Sequence, residues 1–178
     1  MTEQGEQISE LVARLMRDVP DFPQPGVLFK DFTPLLGDGA ALRQVVDDVA
    51  RRRQGTVDVV VGMEARGFIF GAAVAYALGV GFVPVRKAGK LPAGTIRADY
   101  TLEYATASLE VHRDAILPGQ RVLVMDDVLA TGGTAEATCR LVESCDAEVV
   151  AIEIVVEIDA LRGRDRLAGR DVHTLLHV

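Results

Sequence analysis

The segment RVLVMDDVLATGGTAEAT, residues 121–138, decides the fold. It opens on an apolar run, residues 122–125, that is typical of a buried strand in a parallel sheet. Two adjacent acids, Asp126 and Asp127, follow this run, and small, hydroxyl and glycine residues separate them from a helical pattern. Because ligands of parallel sheets bind outside the carboxyl ends of the strands, this strand end predicts a binding site.

Apolar runs and helical patterns alternate on both sides of this segment. Such alternation indicates right-handed crossovers and a parallel central sheet flanked by helices, which is the α/β fold class. The length of 178 residues suits one domain with one core. The predicted elements are strand 57–62, helix 67–79, strand 81–87, strand 121–126, helix 134–145 and strand 148–156.

Two further helices are predicted nearer the start of the chain. The first has apolar residues at helical spacing from Ile8 to Val19 and ends at the proline-rich PDFPQPG. The second has the same spacing from Leu42 to Val49. Residues 51–53 are arginines near its C-terminus, and we interpret them as a solvated helix end that suits the helix dipole.

Composition excludes several classes of protein. The formal net charge of −7 argues against general nucleic-acid binding, so an anionic ligand needs a local cluster of positive groups. The first residues lack the pattern of a secretory signal, and no apolar stretch reaches the roughly 20 residues of a membrane span, which predicts a soluble cytoplasmic protein. Cys139 and Cys145 match neither a metal pair nor a redox pair and are interpreted as free buried thiols.

The loop after the paired acids has the composition of an anion site. Glycines let backbone amides approach a ligand, and a helix N-terminus presents unpaired N–H groups with about half a positive charge. The loop therefore predicts a phosphate cradle, with an ordinary capped turn as the alternative. Its residues are Ala130, Thr131, Gly132, Gly133 and Thr134.

Asp126 and Asp127 need a different partner, because carboxylates would repel the phosphate in the cradle. Acceptor-only groups suit either the hydroxyls of a vicinal diol or a hydrated Mg²⁺ near a diphosphate. A diol and a phosphate within one loop describe a ribose 5-phosphate.

The polar segment 88–104 contains glycine and proline and shows little periodicity. A loop of this length inside a compact domain is usually functional, so we interpret it as a mobile flap. The alternative is a β-hairpin with no active role, because LEYATASLEVH resembles a strand.

The motif VLVMDDVLATGGT resembles the phosphoribosyl pyrophosphate (PRPP) motif of type I phosphoribosyltransferases. From about Val19 onward, further blocks resemble those of the adenine phosphoribosyltransferase family in the same order: DFPQPGVLFKDFTPLL, GMEARGFIFGAAVAYALG, RKAGKLPAGT and YTLEYATASLEVHRDAILPGQRV. The resemblance implies the type I phosphoribosyltransferase fold over residues 1–178, with a flexible flap and a small N-terminal hood over residues 1–35. It also implies a homodimer that buries the stripe of the first helix or strand regions.

The resemblance implies a reaction in purine salvage, in which adenine and PRPP give AMP and pyrophosphate with Mg²⁺ as cofactor. Asp126 and Asp127 would contact the ribose hydroxyls, and residues 130–134 the 5′-phosphate. No residue would bind the metal directly, since Mg²⁺ would accompany the diphosphate and reach the two acids through water. Neither nucleic acid nor membrane would be a partner.

Other residues receive roles from the same resemblance. The diphosphate would be held beside a cis peptide bond between Glu64 and Ala65, by Arg66 and by the flap residues Lys87 and Lys90. Glu103 would be the general acid or base, with Tyr104 shaping the pocket. The residues that would bind adenine are Val27, Leu28, Phe29 and Lys30.

Two competing functions differ in what they predict. One is a non-catalytic sensor of PRPP, which needs an output module that the sequence does not show. The other is the same reaction with hypoxanthine, guanine or xanthine. The block PGVLFKDF favours adenine, because backbone groups that pair with its amine leave a 6-oxopurine oxygen unpaired.

Overall fold

The computed structural model describes residues 3–101 and 106–178. Its α-helices are α1 (Glu3–Leu15), α2 (Thr33–Gly37), α3 (Gly39–Arg53), α4 (Gly67–Leu78) and α5 (Gly133–Glu143). Its strands are β1 (Arg17–Pro20), β2 (Leu28–Asp31), β3 (Val59–Met63), β4 (Gly81–Lys87), β5 (Thr95–Thr101), β6 (Thr106–His112), β7 (Arg121–Leu129), β8 (Glu148–Glu157) and β9 (Val172–His177). In the described part of the chain, no helix has the length and apolar character needed to cross a bilayer.

A seven-stranded sheet in the order β5-β6-β4-β3-β7-β8-β9 forms the centre of the fold. Strands β4, β3, β7, β8 and β9 pair in parallel, whereas β6 pairs antiparallel with both β4 and the edge strand β5. The predicted α/β class is therefore confirmed, with a mostly parallel sheet. Strand β9 was not predicted.

Helices cover both faces of the sheet, because the central strands are apolar on both sides. Val59 and Val61 of β3 pack in one core cluster with residues of α5, and Val60 packs in the other with residues of α1, α3 and α4. This alternation is the two-residue period of a strand. The central strands, whose carboxyl ends carry the predicted site, are thus held by packing on both faces of the sheet.

The N-terminal segment forms a helix and a hairpin rather than one long helix. Helix α1 ends at Leu15, and Val19, which we predicted on the helical stripe, lies in β1 opposite Phe29 of β2. The proline-rich segment connects the two strands of the β1–β2 ribbon. Within it the ring of Phe22 packs edge-on against that of Phe29, with 5.0 Å between the ring centres. The ribbon places Phe29 near the carboxyl ends of the central strands.

Strand β7 continues beyond the point predicted from the sequence. Asp127 as well as Asp126 lies within the strand, because β8 still pairs with Val128 and Leu129. The prediction of a strand end at residue 126 was therefore wrong. The register with β8 fixes the two acids on rigid backbone instead of on a loop.

The segment interpreted as a flap contributes one strand of a hairpin. Strand β5 pairs with β6 from Thr95 opposite His112 to Thr101 opposite Thr106. The alternative interpretation, a β-hairpin, is thus confirmed for its strands, while the movement of a flap stays a prediction. Helix α5 holds the hairpin, because the Arg140 side chain donates to the carbonyl of Asp99 at 2.7 Å.

The interpretation of residues 51–53 as a solvated helix end was wrong for two of the arginines. Arg52 Nε and Arg53 Nε lie 3.0 Å and 2.7 Å from Oε1 of Glu153, which is fully buried in β8. A buried carboxylate needs such partners, and these arginines supply them. The prediction of free, buried thiols at Cys139 and Cys145 is confirmed.

Candidate active site

A cavity of about 490 Å³ opens at the carboxyl ends of β3 and β7. Ligands of parallel sheets bind outside these ends of the strands. The cavity brings together nine predicted site residues: Val27, Leu28, Phe29, Lys30, Arg66, Asp126, Asp127, Ala130 and Thr134. It is also lined by Glu64, Ala65, Val128, Ile158 and Leu161.

The glycine loop forms a smaller cavity of about 70 Å³ beside the first. The two cavities share Asp126, Val128, Ala130 and Thr134, and the smaller one adds Thr131, Gly132 and Gly133. The predicted phosphate cradle therefore adjoins the paired acids. Helix α5 begins at Gly133, so the first N–H groups of the helix lie in the wall of this cavity.

The conformation of the loop requires glycine at one position within it and at one position in the turn behind it. Gly132 has φ +80, and a Cβ there would lie 2.3 Å from the carbonyl oxygen of Gly163. A Cβ on Gly163 would lie 2.2 Å from the carbonyl oxygen of Ala130. The 3₁₀ turn Gly163–Leu167 thus packs backbone against backbone behind the loop and fixes its shape.

The two acids have different surroundings. Asp127 is buried, and its Oδ2 lies 2.6 Å from Nε of Arg66. Asp126 Oδ1 accepts a hydrogen bond from the backbone N–H of Asp127 at 2.9 Å. The pKa of Asp126 is raised well above its usual value, first by burial and second by the neighbouring charge of Asp127.

Arg66 connects the sheet to the N-terminal ribbon. Its guanidinium carbon lies 5.0 Å from the ring centre of Phe29 and 5.6 Å from that of Phe32. One terminal nitrogen lies 3.5 Å from the carbonyl oxygen of Lys30. The same side chain therefore orders the acid Asp127 and the aromatic wall.

Apolar side chains form the remaining walls. Leu28 and Leu161 line the cavity and are 49% and 47% exposed, which leaves apolar surface available to a ligand. The Nζ of Lys30 lies 2.8 Å from Asp18 Oδ1, so this charge is already paired across the ribbon. The polar groups that residues 27–30, in and next to β2, present to the cavity are therefore those of the backbone.

The carboxylate of Glu64 gathers the basic residues at the end of β4. It accepts from the backbone N–H of Lys87 at 2.9 Å, and it lies 3.3 Å from both Arg86 Nε and Lys90 Nζ. Burial opposes ionisation, but these donors outweigh it and lower the pKa of Glu64. The peptide bond between Glu64 and Ala65 is cis, which confirms the bond implied by the resemblance.

Several lining residues were missed by the sequence analysis. Glu64 was noted for its peptide bond and not for its side chain, and Ile158 and Leu161 follow β8, far along the chain from every motif. The predicted general acid or base Glu103, with Tyr104, lies outside the described residues. The arrangement can hold an anion at the glycine loop, hydroxyl groups at the acids and a flat apolar group at the hood.

Comparison with known proteins gives consistent results. Residues 36–174 match the family model of the phosphoribosyl transferase domain. The chain is 56% identical over 177 residues to adenine phosphoribosyltransferase of Salinispora tropica, covering 99% of this chain and 94% of that protein. It is 60% identical over 176 residues to adenine phosphoribosyltransferase of a Nocardioides species, covering 96% and 95%.

Solved structures resemble the chain over the same extent. Adenine phosphoribosyltransferase of Rhodothermus marinus has a TM-score of 0.92 at 49% identity, covering 97% of this chain and 99% of that one. The Saccharomyces cerevisiae protein, complexed with an imino-altritol bisphosphate and adenine, has a TM-score of 0.91 at 38% identity, covering 96% and 99%.

Proposed function

The chain belongs to the adenine phosphoribosyltransferases of the phosphoribosyl transferase domain family, and we propose that it joins adenine to the ribose 5-phosphate of PRPP. The products are AMP and pyrophosphate, and the reaction is a pentosyl transfer in purine salvage. One observation carries the proposal: two adjoining cavities place the apolar hood, the paired acids and the glycine loop side by side.

The proposed positions of the substrates follow the chemistry of the walls. The 5′-phosphate binds the N–H groups and hydroxyls of residues 130–134, where the helix dipole favours negative charge. The ribose hydroxyls donate to Asp126 and Asp127. Adenine lies under Phe29, with the backbone of β2 along its polar edge.

The diphosphate of PRPP then lies toward Glu64 and Arg66. Lys87 is the last residue of β4 and Lys90 lies in the turn after it, and the pairing of Lys90 with Glu64 puts positive charge beside a residue of the cavity wall. Arg66, at the start of α4, adds a second cation. Support for these roles is the contact that Lys90 Nζ and the backbone N–H of Lys87 make with Glu64, which lines the cavity together with Arg66.

The chemistry requires a cation to form between two anions. The bond from C1′ to the diphosphate oxygen breaks, positive charge develops on the ribose ring, and a ring nitrogen of adenine forms the new bond and loses a proton. In this proposal the carboxylates of Asp126 and Asp127 stabilise that charge. In this proposal Glu103 accepts the proton, and closure of the hairpin excludes water.

Magnesium fits the donor set of the cavity. Glu64, Asp126 and Asp127 offer carboxylate oxygens, which Mg²⁺ prefers, and Mg²⁺ usually retains waters and binds substrate phosphates. In the described residues the cluster with metal-ligand spacing is Glu157, Asp159 and His177, none of which lines the cavity. In this proposal Mg²⁺ would bind together with the diphosphate, Asp126 and Asp127 would hold it through water, and it would supply positive charge that neutralises the leaving group.

A homodimer is supported by one helix. Helix α4 has no charged residue, and its Ile69 and Tyr76 are 44% and 90% exposed. A helix that is apolar all round is normally buried, so we propose that a second copy covers this face. The apolar stripe of α1 is not available for this contact, since Ile8 and Val12 are buried within the chain. Location in the cytoplasm stays a prediction from the sequence.

The test is a competition assay. Adenine, hypoxanthine, guanine and xanthine are supplied at equal concentration with PRPP and Mg²⁺, and nucleotide formation is measured. We expect AMP as the product, at a rate that falls at least about a hundredfold when Asp126→Asn and Asp127→Asn are combined, because the developing charge loses its counter-charge. Asp47→Asn, an exposed aspartate of α3, is the control.

A different nucleotide as the main product would refute the choice of base. Unchanged turnover in the double variant would refute the role of the acids. Binding of PRPP without turnover of any base would favour the sensor.

A further inference from the structure

A buried carboxylate outside the cavity holds the segment that carries Lys90. Glu110 lies in β6 opposite Arg86 of β4 and is 1% exposed. Its Oε1 accepts from the backbone N–H groups of Lys90 and Leu91, both at 2.9 Å. These hydrogen bonds, with that of Leu91 the strongest cause, outweigh burial and lower the pKa of Glu110.

The second oxygen of Glu110 has a separate set of partners. Oε2 lies 3.3 Å from the hydroxyl of Thr95 and 3.3 Å from Nε of Arg97, both in β5. One oxygen therefore fixes the turn after β4, and the other fixes the start of the hairpin. Substitutions can separate these two contacts.

Lys90 is fixed by other contacts as well. Its carbonyl oxygen accepts from Arg86 at 3.2 Å, and its Nζ lies 3.3 Å from Oε1 of Glu64. Lys90 does not itself line the cavity, but its ammonium group is paired with Glu64, which does. A lysine side chain is a flexible four-carbon stem, so the place of its charge depends on how firmly its backbone is held.

From this geometry we propose that Glu110 is a positioning residue for PRPP: it fixes the backbone of Lys90 so that the ammonium group meets the diphosphate. The inference rests on the proposed function, in which Lys90 binds the diphosphate. Glu110 does not line the cavity and acts through Lys90. Glu64 is the anionic partner of Lys90 until the diphosphate arrives.

The experiment compares two substitutions of Glu110 by calorimetric titration with PRPP. Glu110→Ala removes both oxygens. Glu110→Gln retains a carbonyl oxygen for Lys90 and Leu91, and its amide nitrogen cannot accept from Thr95 or Arg97. We expect the Kd for PRPP to rise about tenfold in Glu110→Ala, equivalent to about 1.4 kcal/mol, and to stay within about twofold in Glu110→Gln. The KM for adenine should not change in either variant.

A double-mutant cycle with Lys90→Ala shows whether Glu110 acts through Lys90. We expect the double variant Glu110→Ala, Lys90→Ala to bind PRPP no more weakly than Lys90→Ala alone. Glu153→Gln is the matched control, because Glu153 is also a buried glutamate held by charged partners and does not line the cavity. It should leave the Kd for PRPP unchanged.

Several results would overturn the inference. One is that the losses of PRPP affinity in Glu110→Ala and Lys90→Ala add up in the double variant. The others are that Glu110→Gln or Glu153→Gln raises the Kd for PRPP as much as Glu110→Ala does. If Glu110→Ala does not fold, Glu110→Asp replaces it, since the shorter side chain retains the charge but cannot reach both N–H groups, and the same expectations apply. If Lys90→Ala leaves the Kd unchanged, the proposed role of Lys90 fails; if only the coupling is missing, Glu110 alone loses its role.

Discussion

Replacement of Gly132 by alanine tests whether the shape of the glycine loop decides phosphate binding. The residue has φ +80, and the added Cβ would lie 2.3 Å from the carbonyl oxygen of Gly163 and 3.2 Å from its Cα. A left-handed conformation costs a residue other than glycine roughly 1–2 kcal/mol. The contact adds to this cost, because both neighbours are backbone atoms and the loop itself must move.

Gly119→Ala is the matched control. Gly119 has φ +78, nearly the value of Gly132, and a Cβ there would meet nothing within 4 Å. It should lower the free energy of unfolding by roughly 1–2 kcal/mol through the backbone conformation alone. The difference between the two variants therefore measures the contact with Gly163.

The assay combines urea unfolding with calorimetric titration by PRPP. We expect Gly132→Ala to lose more stability than Gly119→Ala and to raise the Kd for PRPP at least about tenfold, because each N–H bond to a charged group is worth about 1.5–3 kcal/mol and the displaced loop misaligns several of them. Gly119→Ala should bind PRPP as the unaltered protein does. If the two variants are equally stable, or if Gly132→Ala binds PRPP normally, the loop is not a shaped cradle.

Two further predictions concern acid stability and assembly. Hydrogen bonds from Arg121 lower the pKa of Asp58 to about 2, so the pair stabilises the fold above about pH 4 and loses this contribution as the pH falls toward 2. Asp58→Asn should therefore show a shallower loss of unfolding free energy than the unaltered protein between about pH 4 and 2 in urea titrations, and parallel curves would contradict this. Tyr76→Asp should convert the proposed dimer into a folded monomer by analytical ultracentrifugation, because it puts a charge on the apolar face of α4, whereas an unchanged sedimentation coefficient would exclude this face from the interface.

The sheet could be read from the sequence wherever a strand is buried on both faces. The runs that became β3, β4, β7 and β8 are apolar and alternate with helical patterns. Strand β9 gave no such signal, because VHTLLH is short, contains two histidines and follows 3₁₀ turns instead of a crossover helix. The end of β7 was misplaced because pairing with β8, which extends the strand through the acids, is not a local property.

From the residues alone the site could be predicted only where they are neighbours in the chain, whereas Arg66 and residues 27–30 were assigned through the resemblance. The acids and the glycine loop form one continuous motif, and the structure places them in adjoining cavities. Gly163 and Glu110 act through backbone contacts with distant segments, and no spacing or composition marks them. The same limit explains the arginines of α3: a glutamate inside an apolar strand predicts a charged partner, but not which one.

The presence of carboxylates at a proposed diphosphate site has a physical consequence. Arg66 is paired with Asp127 and Lys90 with Glu64, so each cation is oriented by an anion of the chain. In the proposed reaction the diphosphate takes up partners that are already in place, which lowers the cost of ordering flexible side chains on binding. Each cation gives up a carboxylate partner when it binds the diphosphate. The net attraction between the site and the diphosphate is therefore smaller than that of cations without a partner. Such a site gains orientation at the expense of affinity, which suits a group that must leave as pyrophosphate in every turnover.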